Sequence, residues 1–177
     1  MADNLSNIKD QLLVLDAQDG DVKAMEKLVR RWQKRLWSYA YRLTYNKEAA
    51  WDITQETWLG IIKGLKRLHD PANFKAWAYK ITTNKSIDWI KNKSKDQHIN
   101  LDSIEVDCYR KKDDLQVKEL IQRLKNDSRV VLSLYYFEQL NIPEISIALN
   151  IPQGTVKSRL FKARGELKQL WEEYFDN

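Results

Sequence analysis

Ile151-Pro152-Gln153-Gly154-Thr155-Val156-Lys157-Ser158-Arg159-Leu160 opens the stretch, residues 150–168, whose reading decides the fold. Pro152 suits the first position of a helix, where a missing N–H costs nothing. Beyond it Val156, Leu160, Ala163, Leu167, Leu170, Trp171 and Tyr174 fall at gaps of four, three, four, three, one and three. That spacing makes one continuous helical stripe. As far as Lys168 the other faces carry Thr155, Lys157, Ser158, Arg159, Lys162, Arg164 and Lys168, with Glu166 the only acid. Phe161 lies off the stripe, among the basic residues. A helix with an apolar back and a short, basic, hydroxyl-bearing front fits the major groove of DNA. A solvated amphipathic helix that happens to be basic has the same pattern, so its neighbours must decide.

Working outward, Pro143 starts a short helix through Leu149, and Asn150 can take the left-handed turn conformation. Residues 141–168 therefore read as helix, tight turn, longer basic helix, a helix-turn-helix. Helices also read at about Asp113–Leu124 and Ser128–Phe137, with Asp127 a candidate cap between them. From the N-terminus, residues 5–18 read as a helix with Leu5, Ile8, Leu12 and Leu15 on one side. Asp21 caps a second helix to about Leu43, its core face being Met25, Leu28, Val29, Trp32, Leu36, Tyr39 and Leu43. Asn46 caps a third to about Leu68, with a stripe of Trp51, Trp58, Ile61, Ile62, Leu65 and Leu68. Residues 69–73 read as a loop before Phe74, because Pro71 biases the residue before it away from helix. A fourth helix follows to about Lys93 and opens on Phe74, Trp77, Ala78 and Ile81. No stretch alternates with period two long enough to argue a strand. The fold class is all-α: two small helical domains, 1–94 and 113–177, joined by a flexible linker over 95–112, with the helix-turn-helix in the second.

Composition narrows the class. The chain has 177 residues, 43% hydrophobic and 31% charged, with a formal net charge of +5. Basic charge gathers in two patches: six Lys against Asp88 over residues 72–95, and five Lys or Arg against Glu166 over 152–170. Two patches suggest two contacts with a polyanion. A single cysteine, Cys108, excludes an intramolecular disulfide framework and a Cys-based zinc site. No signal peptide and no apolar run long enough for a membrane span occur, and a reducing cytoplasm fits. The two histidines, His69 and His98, lack metal-ligand spacing, no glycine-rich phosphate loop is present, and no nucleophile has a fixed base. The chain is read as a non-enzyme without cofactor or metal.

Two polar faces remain. Asp52, Gln55 and Glu56 sit at i, i+3 and i+4 on the third helix. They read either as an ordinary polar face whose acids complement the helix N-terminus, or as a docking face for a basic partner. Carboxylates facing phosphates repel, so that partner is not DNA. On the fourth helix Lys80, Asn84 and Lys91 share a face, with Lys85 and Asp88 beside it. Asn can donate and accept at a base edge, and the preceding loop adds His69, Asn73 and the aromatic Phe74. A basic surface beside polar and aromatic groups can hold an unstacked strand. For Phe74 and Trp77 core packing is the competing reading.

Two blocks carry a resemblance. The first is Asp52-Ile53-Thr54-Gln55-Glu56-Thr57-Trp58, then Phe74-Lys75-Ala76-Trp77-Ala78-Tyr79-Lys80-Ile81-Thr82-Thr83-Asn84 and Asp88-Trp89-Ile90. The second is Leu134-Tyr135-Tyr136-Phe137, Glu144-Ile145, Leu149, and Gly154-Thr155-Val156-Lys157-Ser158-Arg159-Leu160 with Ala163-Arg164. In order and spacing they resemble conserved regions 2 and 4 of bacterial RNA polymerase sigma factors of the extracytoplasmic-function (ECF, group IV) type of the sigma-70 family. The resemblance covers about residues 20–94 and 113–172. It implies an initiation factor that binds core RNA polymerase and promoter DNA. Asp52, Gln55 and Glu56 match the residues that dock on the polymerase clamp coiled coil. His69, Asn73, Phe74, Lys80, Asn84, Lys85 and Asp88 match the surface that captures and melts the −10 element. Thr155, Lys157, Ser158, Arg159, Phe161 and Lys162 match the helix that reads the −35 element. Leu134, Tyr135 and Phe137 read as core, although the family also docks this domain on the polymerase flap. An anti-sigma factor is implied as a further partner. The chain departs from the family at Lys125, where Pro is usual, at Ser146, where Ala is usual, and at Asn150, where Gly is usual. Leu140-Asn141-Ile142-Pro143 is atypical. Two rivals stand beside this reading: a DNA-binding regulator that never docks on polymerase, and an adaptor whose first domain only binds protein. Formation of a holoenzyme separates them.

Overall fold

A computed structural model of the protein describes residues 2–96 and 119–175. The expected linker 95–112, the start of a helix at Asp113, His98 and Cys108 lie outside the described residues, apart from the linker's first two positions. Among the described residues the fold is entirely helical. The elements are α1 (Ala2–Gln18), α2 (Val22–Thr44), α3 (Lys47–Gly64) and α4 (Phe74–Asp96), then α5 (Asn126–Leu132), which continues into a π-helical segment Ser133–Phe137, α6 (Ile142–Leu149) and α7 (Gln153–Phe175). Short 3-10 turns, Leu65–Arg67 and Pro71–Asn73, join α3 to α4.

The caps follow the local chemistry. Asp21 accepts from the N–H groups of Lys23 and Ala24, and Asn46 from that of Ala49. Asp70 caps the turn at Pro71–Asn73, so part of the expected loop is helical. Asp127 is not a cap: α5 starts after Lys125, with no side-chain cap, and Asp127 lies in its first turn. Pro152 stands one residue before α7, and its carbonyl accepts from Val156.

α2 buries the face read from its sequence: Leu28, Trp32, Leu36, Tyr39 and Leu43 are inaccessible or nearly so. Trp32 meets Phe74 and Tyr79 edge-on, at 5.4 and 6.0 Å between ring centroids. Each such fully buried side chain stabilises the fold by roughly 1.5–3 kcal/mol. Two other faces differ from expectation. On α3 the buried residues are Ala49, Ala50, Ile53, Thr54, Thr57, Trp58 and Ile61, while Trp51 and Ile62 are exposed. Counting only large apolar residues places the face too far round the helix, because alanines and threonines let α2 and α4 approach. The threonine hydroxyls are satisfied within the helix, Thr54 donating to the Ala50 carbonyl and Thr57 to that of Ile53. On α1 it is Asp10, Val14 and Ala17 that face inward, and Leu5, Ile8, Leu12 and Leu15 are exposed.

α3 and α4 cross closely at Gly64. A Cβ there would lie 2.8 Å from Cζ2 of Trp77, so the indole fills the space a side chain would need. In the C-terminal half, Val156, Leu160 and Ala163 of α7 pack with Val131, Leu134 and Ile145. The stripe then runs out of the core, with Trp171 and Tyr174 exposed. A single apolar cluster continues through both halves, because α6 packs on α4.

Candidate nucleic-acid interface

The duplex-facing candidate is built on the turn between α6 and α7. Asn141 caps α6 reciprocally with Glu144, each side chain accepting from the other's backbone N–H. α6 ends on Asn150 in the left-handed conformation, φ 53 and ψ 47. The Ser146 hydroxyl donates to the Ile151 carbonyl at 2.6 Å, and the Ile151 N–H returns to the Ser146 carbonyl at 3.2 Å. The atypical Leu140-Asn141-Ile142-Pro143 segment thus starts a well-capped helix, and Ser146 braces the turn that Asn150 makes.

α7 is carried on this turn with its apolar side inward and Lys157, Ser158, Phe161 and Lys162 outward. Phe161 is 81% exposed, the most exposed large apolar side chain among the described residues. Ser158 donates to the Thr155 carbonyl, and Thr155 is half-buried. Arg159 lies 3.6 Å from Asp127, a partly exposed pair that a phosphate can compete for. Lys162 reaches Glu166 only at 4.0 Å. The outer face is therefore cationic, weakly paired, and centred on one aromatic ring.

The second candidate lies on α4. Lys80 is half-buried, and Asn84 and Asp88 are exposed on the same side. In the preceding turn His69 is exposed, and the Asn73 amide donates to Asp70 at 3.1 Å. Phe74 departs from its expected role. It is 1% exposed and packs on Trp32, because the first turn of α4 inserts it between α2 and the rest of the core. It supports this surface from beneath and cannot touch a strand.

Asp52, Gln55 and Glu56 are all exposed on the outer side of α3. Glu56 pairs with Lys85 of α4 at 2.7 Å, which raises the Lys85 pKa through that hydrogen bond. A carboxylate of the first polar face thus meets a cation of the second, and the two faces share an edge.

The family described as Sigma-70 region 2 matches residues 28–96, and that described as Sigma-70, region 4 matches residues 114–167. The chain belongs to the ECF sigma factors of the sigma-70 family. This sigma factor is similar over most of its length to several relatives. It is 27% identical to RNA polymerase sigma-H factor of Pseudomonas aeruginosa, over 90% of this chain and 92% of that protein. It is 28% identical to ECF RNA polymerase sigma factor SigW of Bacillus subtilis, over 88% of this chain and 93% of that one. Its fold matches CnrH, solved in complex with the cytosolic domain of CnrY, with a TM-score of 0.73 at 24% identity, covering 93% of this chain and 98% of that one. It equally matches sigma factor RpoE of Bartonella quintana, solved with the anti-sigma factor NepR, with a TM-score of 0.73 at 21% identity over 85% and 98%. As a sigma factor it directs RNA polymerase to promoters, region 2 melting the −10 element and region 4 binding the −35 element, and it catalyses no chemistry itself.

Some charged residues of this sigma factor carry no local motif. Glu138, the C-cap of the π-helical segment Ser133–Phe137, has its side chain nearly buried against Arg42 of α2 and accepts from the Tyr79 hydroxyl of α4. Arg129 of α5 donates to the Leu43 carbonyl and lies over the Tyr45 ring at 5.3 Å. These partners are tens of residues apart, so no spacing rule could pair them. A row that spacing could have revealed is Lys23, Lys27, Arg30 and Lys34, at i, i+4, i+7 and i+11 on the exposed ridge of α2.

Proposed function

We propose that the sigma factor docks on the clamp coiled coil of core polymerase through Asp52, Gln55 and Glu56. It captures the melted −10 strand on Lys80, Asn84, Lys85 and Asp88 of α4 with His69 and Asn73. It reads the −35 duplex with Thr155, Lys157, Ser158, Arg159, Phe161 and Lys162 of α7. Functionally it divides into units 1–94 and 113–177 around the segment 95–112. The observation that carries the −35 assignment is Phe161: a bare ring held among lysines, on the second helix of a helix-turn-helix, has a thymine methyl as its natural partner. Lys and Arg around it supply phosphate and guanine contacts.

The acidic outer face of α3 suits a basic protein surface and repels DNA, which supports its docking role. Leu134 is buried and stays structural, whereas Phe137 and Tyr135 are partly accessible and fit a contact with the polymerase flap. An anti-sigma factor is the remaining partner; RpoE of the same fold was solved with one. The site of action is the cytoplasm, where polymerase and promoter are, and no described helix is long and apolar enough to cross a membrane.

The test is transcription in vitro from a pool of randomised promoters with core enzyme and this chain. Selected promoters should share two short elements with a constant spacing. A chain that bound DNA but formed no holoenzyme would be a conventional regulator, and the proposal would fall.

A further inference from the structure

α1 turns Asp10, Val14 and Ala17 into the core and leaves Leu5, Ile8, Leu12 and Leu15 on the opposite side, 60, 47, 55 and 46% exposed. Gaps of three, four and three put these side chains in one line, about 15 Å long at 1.5 Å per residue. No other helix among the described residues exposes four large apolar side chains. A contiguous apolar row of this size marks a contact surface.

α2 lies along one side of this row and presents cations. Lys23, Lys27, Arg30 and Lys34 recur at gaps of four, three and four on its outer face, and all four are exposed. Lys9 of α1, also exposed, stands on the side of the row nearer α2. None of these five has an ion pair among the described residues, whereas the neighbouring Arg31 is held by Asp10 at 2.7 Å. Lys9, Lys27, Arg30 and Arg31 line an open cleft of about 440 Å³ between the two helices, together with Leu12 and Leu13. The acids keep to the other end: Asp16, Asp19, Asp21 and Glu26 sit near the hairpin turn, where Asp21 caps α2. The half that bears Leu5, Ile8 and Leu12 is therefore both apolar and cationic.

The chemistry selects among the surfaces that could cover this face. A nucleic acid would engage the cations and leave the leucines unused. A second copy of the chain would bring a like-charged row up to this one. A single partner helix seats in a groove with an apolar floor, but only Leu12 of the row lines the cleft, and Leu5, Ile8 and Leu15 stand outside it. A convex apolar ridge flanked by unpaired cations fits a fluid, anionic lipid surface: the leucines enter the acyl boundary while Lys and Arg stay among the phosphates. We propose that the α1–α2 hairpin is a peripheral membrane-binding surface of this sigma factor, with Ile8 and Leu12 inserted and Lys9, Lys27, Arg30 and Lys34 on anionic headgroups. Each cation near such a surface strengthens the contact about fivefold, and a few leucines fall far short of a spanning helix, so the contact is reversible. It places the free sigma factor beside the membrane. It uses neither the clamp-docking nor the DNA-contact assignments.

The test is co-sedimentation of the full chain with large vesicles, either of equal parts phosphatidylglycerol and phosphatidylcholine or of phosphatidylcholine alone. Wild type should bind the anionic vesicles about tenfold or more tighter than the neutral ones, and the difference should shrink as salt rises. Lys27→Gln with Arg30→Gln should weaken binding to anionic vesicles about tenfold or more. Ile8→Gln with Leu12→Gln should weaken it by a similar factor, about tenfold. Lys63→Gln with Lys66→Gln removes the same charge from exposed sites outside this surface and should change binding by no more than about twofold. All six side chains are exposed, so thermal melts should stay near wild type. Insertion is read from an environment-sensitive dye on Leu12→Cys in a Cys108→Ser background. The dye should brighten and shift to the blue on anionic vesicles, and the same dye on Lys66→Cys should not. Three results each overturn the proposal: wild type that ignores anionic vesicles, equal losses from the two pairs of charge variants, or a dye at position 12 that stays in water. The ridge would then belong to a protein partner. If Ile8→Gln with Leu12→Gln melts early, the dye decides, because it leaves the rest of the ridge in place.

Discussion

The turn between α6 and α7 holds two of the departures from the family pattern, Ser146 and Asn150, and their partnership can be measured. Ser146→Ala removes the 2.6 Å hydrogen bond to the Ile151 carbonyl in a half-buried turn. A hydrogen bond of this kind contributes about 1 kcal/mol net. Asn150 occupies φ 53, where a β-carbon is crowded. Asn tolerates this conformation and glycine adopts it freely, so Asn150→Gly should change stability by less than about 1 kcal/mol, with a small gain the expected sign. Asn150→Ala, which has neither advantage, should cost about 1–2 kcal/mol. The pair Ser146→Ala with Asn150→Gly restores the usual family residues, and should end near wild type because the relaxed glycine offsets the lost bond. Thermal melting followed by circular dichroism supplies the readout, about 2–4 °C per kcal/mol for a chain of this size. The same proteins should lose affinity for a −35 duplex in anisotropy titrations in the order of their instability, because this turn aims α7. If Ser146→Ala melts with wild type, or Asn150→Ala is harmless, the turn is not braced as described. If both lose stability without losing duplex affinity, the turn does not set the reading angle.

Replacing Asp52 and Glu56 together by Ala should abolish binding to core polymerase while leaving affinity for a −35 duplex unchanged, a contrast that pull-down and anisotropy measure. Lys162→Ala should weaken duplex binding about equally across sequences and lower the salt slope by about 1. Phe161→Ala should relax selection at one base pair, costing about 1–3 kcal/mol there, and should melt within about 0.5 kcal/mol of wild type because the ring is exposed. Gly64→Ala should destabilise by about 1–3 kcal/mol in denaturant unfolding, because its Cβ would meet Trp77 at 2.8 Å. Burial raises the Tyr45 pKa to about 12, against an ordinary value of 10.0. The neutral phenol is thus favoured in the folded state, and its stabilising share is complete below pH 10.0 and lost as pH rises toward about 12. Tyr39 and Tyr79 are pushed in the same direction by burial and add to the effect. Ellipticity against pH should therefore fall together with the appearance of tyrosinate absorbance.

The sequence by itself determined the helices and most of their ends, since caps and periodicity are local: Asp21, Asn46 and Asn150 work as their chemistry requires. It also determined the family, because the residues of the two blocks lie close together along the chain. The exposed, basic face of α7 was legible for the same reason. What it could not determine was which side of a helix finds a neighbour when both sides hold apolar residues. On α1 the leucine stripe lost to Asp10, Val14 and Ala17, because Asp10 gains the Arg31 guanidinium at 2.7 Å. On α3 small residues won the interior because close helix approach rewards them. The role of Phe74 was settled the same way, by Trp32 of a distant helix. Only the tertiary structure decided that regions 2 and 4 close on each other through Glu138, Arg42 and Tyr79. A contact between residues 42, 79 and 138 depends on how three helices are arranged in space, and no periodicity along one helix records that.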